Sequence, residues 1–344
     1  MHMKADSRDL PGFHEKLLSG EHLSKTEAAE LFDLLRNERD PGPIASLLTA
    51  WTAKGYSSGE IAACASILRK EVRRVRCSHK RFIDVVGTGG SPVKTFNVST
   101  AAALVASGAG LAVAKHGNRA ASSVTGSADA LSELGVKLID DEAAAGNCLD
   151  KHGICFMFAP HFHNLTIEIA TARRSVGIPT IFNLLGPIAN PAGAPFQLIG
   201  IWDGTKAEVY GEALKTLGTK RSWIVHGTDG LDEITLSGET EVTEVTGVGI
   251  TQFRISPADF GLEKGSIDGL RARDAAASAE TVEGVIQGTD RGAARDLVLI
   301  NAAAALYIAG TARSLEDGLA LASESIDSGS AAAKLRALVE ETNR

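Results

Sequence analysis

"DVVGTGGSPVKTFNVST", residues 84–100, is the stretch from which the fold can be read. A short, mostly apolar run, "FIDVV", enters Gly87-Thr88-Gly89-Gly90, and a helical pattern opens near Ser99. Runs of that kind form strands buried on both faces. A strand that passes through glycines into a helix is the building unit of a parallel α/β sheet. Glycines lack a Cβ, so their amides can approach an anion closely, and the helix start adds unpaired N–H groups and a favourable dipole. The stretch is not a Walker loop, since no Gly-Lys-Ser/Thr follows, and it is not a Gly-x-Gly-x-x-Gly fingerprint.

The same grammar continues downstream. "GLAVAK", "ICFMFA", "FQLIGIW" and "RSWIVHG" read as strands, with helices expected over residues 100–108, 127–134 and 206–217 between them. Residues 235–258 alternate like antiparallel strands, and the C-terminal stretch returns to helix. Upstream the pattern is helical only. Ser24 with Glu27, and Ser57 with Glu60, form capping boxes ahead of apolar residues at helical spacing. The expected fold is α/β: a small all-α domain over residues 1–80 and a larger domain over 81–344 with a mostly parallel sheet covered by helices. A segment near 170–195 is expected to cross back onto the helical part.

Composition supports this class. Of 344 residues, 44% are hydrophobic but only 5% aromatic, which favours helices packed closely on a sheet over an aromatic-rich sandwich. The net charge of −7 argues against nucleic acid or an anionic membrane as partner. The basic run 69–81 is expected to be a solvated helix face with a polar linker, or to raise the potential for a phosphate ligand. Four cysteines form no CxxC pair, so neither a disulfide framework nor a zinc site is indicated, and a reducing cytoplasm is expected. No export signal or membrane span is read.

Three further clusters bear on chemistry. "AKHGNRAASSVTGSAD" offers Lys115, His116, Asn118 and Arg119, then Ser122, Ser123 and Ser127. Loops at the carboxyl ends of neighbouring parallel strands converge, so this loop and the glycine loop suit a phosphate-bearing ligand held between them. In "HGTDGLDEITL" the adjacent carboxylates Asp232 and Glu233 suit Mg²⁺, which prefers oxygen ligands. In "FAPHFHNLTIEIATARRSVGIPTIFNLLGPIANP", Arg173 follows His163 by ten residues on a helix expected to begin near Asn164. It offers a guanidinium fork for a carboxylate.

In these four ordered blocks the chain resembles the anthranilate phosphoribosyltransferases, and the resemblance spans nearly its whole length. It implies transfer of phosphoribosyl from 5-phosphoribosyl 1-pyrophosphate to the amine of anthranilate, with Mg²⁺ as cofactor, and a homodimer formed through the helical domain. It places the donor against Gly87, Gly90, Ser91, Thr95, Asn97, Val98, Ser99 and Thr100. The second donor loop would be Lys115, His116, Gly117, Asn118, Arg119, Ala120, Ala121, Ser122 and Ser123, with Ser127 close by. Anthranilate would meet Gly87, Asn118, His163 and Arg173, and Ser99, Asp232 and Glu233 would handle Mg²⁺. Lys115 and His116 are the candidate catalytic groups, the first toward the leaving pyrophosphate and the second as base.

Three positions depart from the family's pattern. Its glycine loop ends in Asp, where this chain has Ser91. Its Gly-x-Arg-Thr is here Gly177-Ile178-Pro179-Thr180, and the Pro expected after His163 is Asn164. These departures leave room for a paralogue acting on another aminobenzoate or small nucleophile. A pyrimidine-nucleoside phosphorylase and a non-catalytic nucleic-acid-binding relative are the remaining alternatives.

Overall fold

The computed structural model describes residues 9–120 and 124–344. Four helices, Leu10–Leu18, Lys25–Asn37, Pro41–Lys54 and Ser58–Glu71, form the N-terminal bundle. Both capping boxes are present: Ser24 and Ser57 accept from the amides of Glu27 and Glu60, whose carboxylates accept from the cap amides in return. Each box satisfies two amide donors that a helix start would otherwise leave unpaired. Glu60 also accepts from the amide of Leu23 at 2.8 Å and from Lys54 Nζ at 2.6 Å, which ties three segments of the bundle through one buried carboxylate.

After the bundle come β1 (Phe82–Gly87), β2 (Ala112–Gly117), β3 (Ile154–Phe158), β4 (Phe196–Gly200), β5 (Arg221–Gly227), β6 (Thr240–Thr246) and β7 (Ile250–Ile255). The sheet order is β3-β2-β1-β4-β5-β6-β7. The first five strands run parallel and the last two complete an antiparallel meander. The chain therefore reverses its direction of travel at β1, which leaves a crevice beyond the carboxyl ends of β1 and β4.

Two cores flank the sheet. Helices Val98–Gly108, Ala293–Ile308, Leu315–Asp327 and Ser330–Thr342 pack one core against one face. The other core joins the N-terminal bundle to helix Ala207–Thr216 and to helices Ile167–Val176 and Ile181–Ile188. In it Phe182 stacks on Phe32 of the bundle at 5.6 Å.

Most of the basic run 69–81 is the solvated helix end and linker expected of it, with Lys70, Arg74, Arg76, Lys80 and Arg81 exposed, but two of its arginines are spent on structure. Arg69 donates to the carbonyls of Ile188 and Leu217, at the last turns of two helices, where a cation is favoured by the dipole. Arg73 forms a two-pronged pair with Glu142 and also donates to the carbonyl of His161. These guanidinium groups hold the bundle to the sheet domain, and neither Arg69 nor Arg73 lines the donor-side cavity described below.

Candidate active site

The crevice is opened by a local failure of strand pairing. β1 and β2 pair only at Phe82↔Ala112 and Ile83↔Val113, whereas β1 follows β4 to Gly87↔Gly200 and β2 follows β3 to Gly117↔Phe158. Side chains bridge the gap. Asp84, fully buried, accepts from the amide of His116 at 3.1 Å with one oxygen and from Asn190 Nδ2 at 2.7 Å with the other. Lys115 Nζ crosses to the carbonyl of Val85 at 2.6 Å and lies 3.3 Å from Ser99 Oγ. Burial pushes the Asp84 carboxyl up to about 6, against the opposing pull of Lys115 and its hydrogen bonds. Burial lowers Lys115, while Asp84 and Glu233 favour its charged form.

Two cavities meet here. The first, of about 260 Å³, takes its walls from three loops. Gly87, Gly90, Thr95, Asn97 and Ser99 come from the glycine loop and helix start. Lys115, His116, Gly117, Asn118, Arg119, Ala120 and Ser127 come from the loop after β2, and Asp232 and Glu233 from the turn after β5. The second, of about 380 Å³, is mostly apolar, lined by Leu68, Pro160, Leu165, Ile167, Phe182 and Pro187, with His163 at its side. Gly87, His116, Asn118, Arg173 and Asn183 belong to both walls.

Three expected donor residues sit behind the wall. Ser91 is buried, and its hydroxyl faces the carbonyls of Val93 and Gly230 at 2.9 Å each. Val98 is the buried first residue of its helix, and Thr100 turns its hydroxyl into the core without a partner. Ala121, Ser122 and Ser123 lie outside the described residues. The helix carrying Arg173 starts at Ile167, later than expected, because Thr166 caps it by accepting from the amide of Ile169.

Asp232 and Glu233 are set against the strand ends by close approach: a Cβ on Gly200 would stand 1.7 Å from the Asp232 carbonyl oxygen. Both carboxylates open partly onto the cavity, yet the surrounding atoms withdraw enough water to raise both pKa values. Glu233 is raised further by its neighbour Asp232. Neither forms an ion pair among the described residues. Two adjacent carboxyls that a nearby cation would return to their charged form, with Ser99 close by, are an oxygen donor set that fits Mg²⁺. No group of three or more acidic, His or Cys side chains gathers among the described residues, so the remaining ligands would come from water and phosphate oxygens.

Across the second cavity, His116 and His163 stand 5.1 Å apart between ring centroids. His116 Nδ1 lies 3.1 Å from the carbonyl of Gly186, which can only accept, so Nδ1 carries the hydrogen and Nε2 the lone pair. Nε2 is buried without a partner on both rings. Desolvation, with the neighbouring histidine, lowers His116 to about 3, and desolvation lowers His163 to about 4. Both are neutral at pH 7. Arg173 rests its guanidinium over the Phe182 ring at 5.3 Å and has no carboxylate partner among the described residues. Desolvation lowers it from its ordinary value.

Comparison with known proteins agrees with this architecture. The helical bundle domain of a glycosyl transferase family matches residues 12–71, and the α/β domain of the same family matches residues 79–332. An anthranilate phosphoribosyltransferase of Moorella thermoacetica is 47% identical over 325 residues, covering 94% of this chain and 96% of that protein. The chain belongs to the anthranilate phosphoribosyltransferase family. Another member, from Rubrobacter xylanophilus, is 44% identical over 330 residues, covering 96% of each. Among solved structures of the family, the Thermus thermophilus enzyme superposes with a TM-score of 0.89 at 38% identity, over 96% of this chain and 99% of that one. The Saccharomyces cerevisiae enzyme, solved in complex with PRPP and Mg, gives 0.86 at 28% identity, over 97% and 98%.

Several wall residues were given no role in the sequence analysis. Thr88, Lys94, Thr125 and Asn183 lie within its motifs and Ala272 outside them, and all five line the donor-side cavity of this family member. For Asn183 the available signal was its place three residues after the helix cap Thr180. Its amide donates to the carbonyl of Thr88 and so fixes the glycine loop to helix Ile181–Ile188.

Proposed function

We propose that the chain transfers a phosphoribosyl group from 5-phosphoribosyl 1-pyrophosphate to the amine of anthranilate, releasing pyrophosphate. One observation carries it: an anion-seeking cavity and an apolar cavity share a wall at Gly87, His116, Asn118 and Arg173. A phosphorylated sugar on one side and a flat aromatic acid on the other would bring donor carbon and acceptor nitrogen together at that wall. The S. cerevisiae relative has been solved with PRPP and Mg and with 4-fluoroanthranilate, in support of the two ligands.

The C1–O bond to pyrophosphate breaks, the amine nitrogen bonds to C1, and one amine proton is lost. The Gly89-Gly90 backbone, with Lys115 and Arg119, would hold the phosphates, since the Thr88 and Val98 amides already donate to the carbonyls of Gly200 and Phe96. Lys115 would stabilise charge as it builds on the departing pyrophosphate. Asp232, Glu233 and Ser99 would hold Mg²⁺, which when bound neutralises pyrophosphate oxygens. Arg173 would pair with the acceptor carboxylate, filling its missing anion. The free Nε2 lone pairs of His116 and His163 would accept the amine N–H groups and aim the nitrogen, with His116 the nearer to take the proton.

We also propose the domain division at residues 80 and 81, with 170–195 packed on the bundle, and a cytoplasmic homodimer formed through the bundle. The last bundle helix ending at Glu71 and the first strand starting at Phe82 support the division. Leu18, 67% exposed on the first helix, supports the dimer face, and four free cysteines support a reducing compartment.

The test is loss of anthranilate fluorescence with purified protein, donor and Mg²⁺. Arg173→Gln should raise the KM for anthranilate about a hundredfold, the scale of lost charged hydrogen bonds. Unchanged anthranilate over a wide Mg²⁺ range would refute the activity, and an unchanged KM would remove Arg173 from the acceptor site.

A further inference from the structure

The helix that opens the donor-side cavity begins on an asparagine that does not cap it. Asn97 stands at the N-cap of helix Val98–Gly108, and its side chain accepts from none of the helix amides. An asparagine at that place ordinarily gives its carbonyl oxygen to the second or third amide of the helix. Here Asn97 Oδ1 is turned instead to Ser278, whose Oγ donates to it at 2.6 Å and accepts from the Asn97 amide at 2.9 Å. Thr125 Oγ1 lies 3.1 Å from the same oxygen. The Ser99 amide, left without its cap, faces the Glu233 carboxyl and favours its charged form.

Ser278 itself lies behind the cavity wall. It is fully buried near the start of helix Ala275–Ile286, 181 positions from Asn97, and that helix packs on both Val98–Gly108 and Ser127–Glu133. An alanine at 278 would fill the same place with a better helix former, so neither packing nor helix propensity calls for a hydroxyl. Both hydrogen bonds of that hydroxyl go to one residue. They fix which edge of the Asn97 amide faces where. Oδ1 points to the two hydroxyls, and Nδ2, which has no hydrogen bond among the described residues, is left for the donor-side cavity that Asn97 lines.

We propose that Ser278 is a positioning residue for donor binding: it holds the Asn97 side chain off the helix start, so that Nδ2 is presented to an oxygen of the phosphoribosyl donor. The Ser99 amide then stays open toward the carboxylate turn. The proposal rests on the donor assignment above and deepens it. Ser278 touches no ligand, and its effect passes through Asn97. Neither residue lines the apolar cavity, so the acceptor is outside its reach.

The experiment is calorimetric binding of 5-phosphoribosyl 1-pyrophosphate with Mg²⁺ to the full chain, without acceptor. It compares the parent with Ser278→Ala, Asn97→Ala and the double Ser278→Ala/Asn97→Ala. Each single variant should weaken donor binding about tenfold, the scale of one lost hydrogen bond. The double variant should bind within about threefold of Asn97→Ala, short of the further loss of about tenfold that independent effects would add. In steady-state kinetics Ser278→Ala should raise the KM for the donor and leave the KM for anthranilate within about twofold of the parent's, whereas a loosened fold would raise both.

Donor binding by Ser278→Ala equal to the parent's overturns the proposal. So does a double variant weakened by the product of its singles, or a joint rise in both KM values. Where Ser278→Ala fails to fold, Ser278→Cys takes its place in the cycle, since its thiol is a weaker donor of similar shape. A parent with no affinity for the donor refutes the proposed function itself, and the positioning role falls with it; a donor-binding parent matched by its Ser278 variant refutes the positioning role alone.

Discussion

The imidazoles of His116 and His163 face each other at 5.1 Å, tilted by 56°, and each buries an Nε2 that has no hydrogen-bond partner. Burying an acceptor unpaired costs about 1–3 kcal/mol, so two at one cavity wall are a deficit that a donor ligand would repair. An aromatic amine presents two N–H groups to two lone pairs. The orphaned atoms thus belong to the free protein, and their satisfaction to the complex.

His116→Asn and His163→Asn should both raise the KM for anthranilate, by about tenfold each if one hydrogen bond is lost. The kcat of His116→Asn should fall more than that of His163→Asn, because only His116 also lines the donor cavity and can meet the proton where it is released. Steady-state kinetics with both substrates varied checks this. Equal falls in kcat would show that neither ring handles the proton.

The same burial makes stability depend on pH. Below about 6.5 the histidines of the unfolded chain take up protons, whereas His116 and His163 stay neutral in the fold down to about 3 and 4. The folded state therefore loses ground as pH falls through this window, by up to about 1.4 kcal/mol per pH unit for each ring. Asp84 opposes part of this, since its folded value of about 6 lies above the ordinary carboxylate and favours the fold between roughly 6 and 3.8. Glu233, raised to about 8, and Asp232, also raised, act in the same sense as Asp84, so the carboxyls offset the rings and the ring contribution is read by difference. Between pH 6 and 5 the urea midpoint of His163→Asn should gain on the parent's as the pH falls; a constant difference would show that the ring is not held neutral by the fold.

Which of these groups could be read from the sequence follows from how each one acts. Gly87, Lys115, Asn118, Asp232 and Glu233 are found in runs at strand ends, where short-range pattern and the convergence of parallel strands place them together. Asp84 and Asn190 escaped because they act across the sheet: 106 positions apart, they meet only where β1 and β2 part company. Asp84 even reads as an interruption of an apolar strand. Ser91 reads as a donor contact because it stands in the glycine loop, and the fold alone shows its hydroxyl turned to the Val93 and Gly230 carbonyls and the Asp232 carboxyl. Arg69 and Arg73 read as part of a solvated basic run, since the helix ends 119 and 148 positions from Arg69, and Glu142 and His161 at 69 and 88 from Arg73, cannot be seen from their neighbours. The α/β class itself was legible because the buried parallel strands are short, mostly apolar runs that alternate with helical patterns.

Asp232 and Glu233 should show a trade between metal binding and stability. Burial raises both carboxyls, which means each charge costs the fold free energy when no cation is near. Replacing both by amides should raise the melting temperature in chelator, by a few degrees, as expected for about 1 kcal/mol relieved. Mg²⁺ with donor should stabilise the parent but not the double amide variant, whose kcat/KM should fall by at least about a hundredfold. Thermal scans with and without Mg²⁺ measure the first effect independently of turnover. A double variant that still gains stability from Mg²⁺ would move the metal elsewhere.

The bundle's buried ion pair should answer asymmetrically to loss of its two ends. Lys54 Nζ and Glu60 Oε1 stand 2.6 Å apart with side chains 2% and 0% exposed. Desolvation would raise the Glu60 carboxyl, but hydrogen bonds from Lys54, Ser57 and Leu23 outweigh it and hold the value below the ordinary one. Lys54→Met removes one of these donors and leaves Glu60 with two backbone amides and His22 Nδ1 at 3.4 Å, a loss of about 1–2 kcal/mol. Glu60→Ala leaves the buried Lys54 ammonium with only His22 Nδ1 among the described residues, strands the Leu23 amide and removes the carboxylate half of the capping box, so about 3–5 kcal/mol should go. Because this bundle packs on Phe182, and Phe182 supports Arg173, the Glu60 variant should also raise the KM for anthranilate. Denaturant titration of the two variants, followed by Trp51 fluorescence, ranks them. Equal losses would mean that the cation, and not the network of amides around Glu60, holds the bundle together.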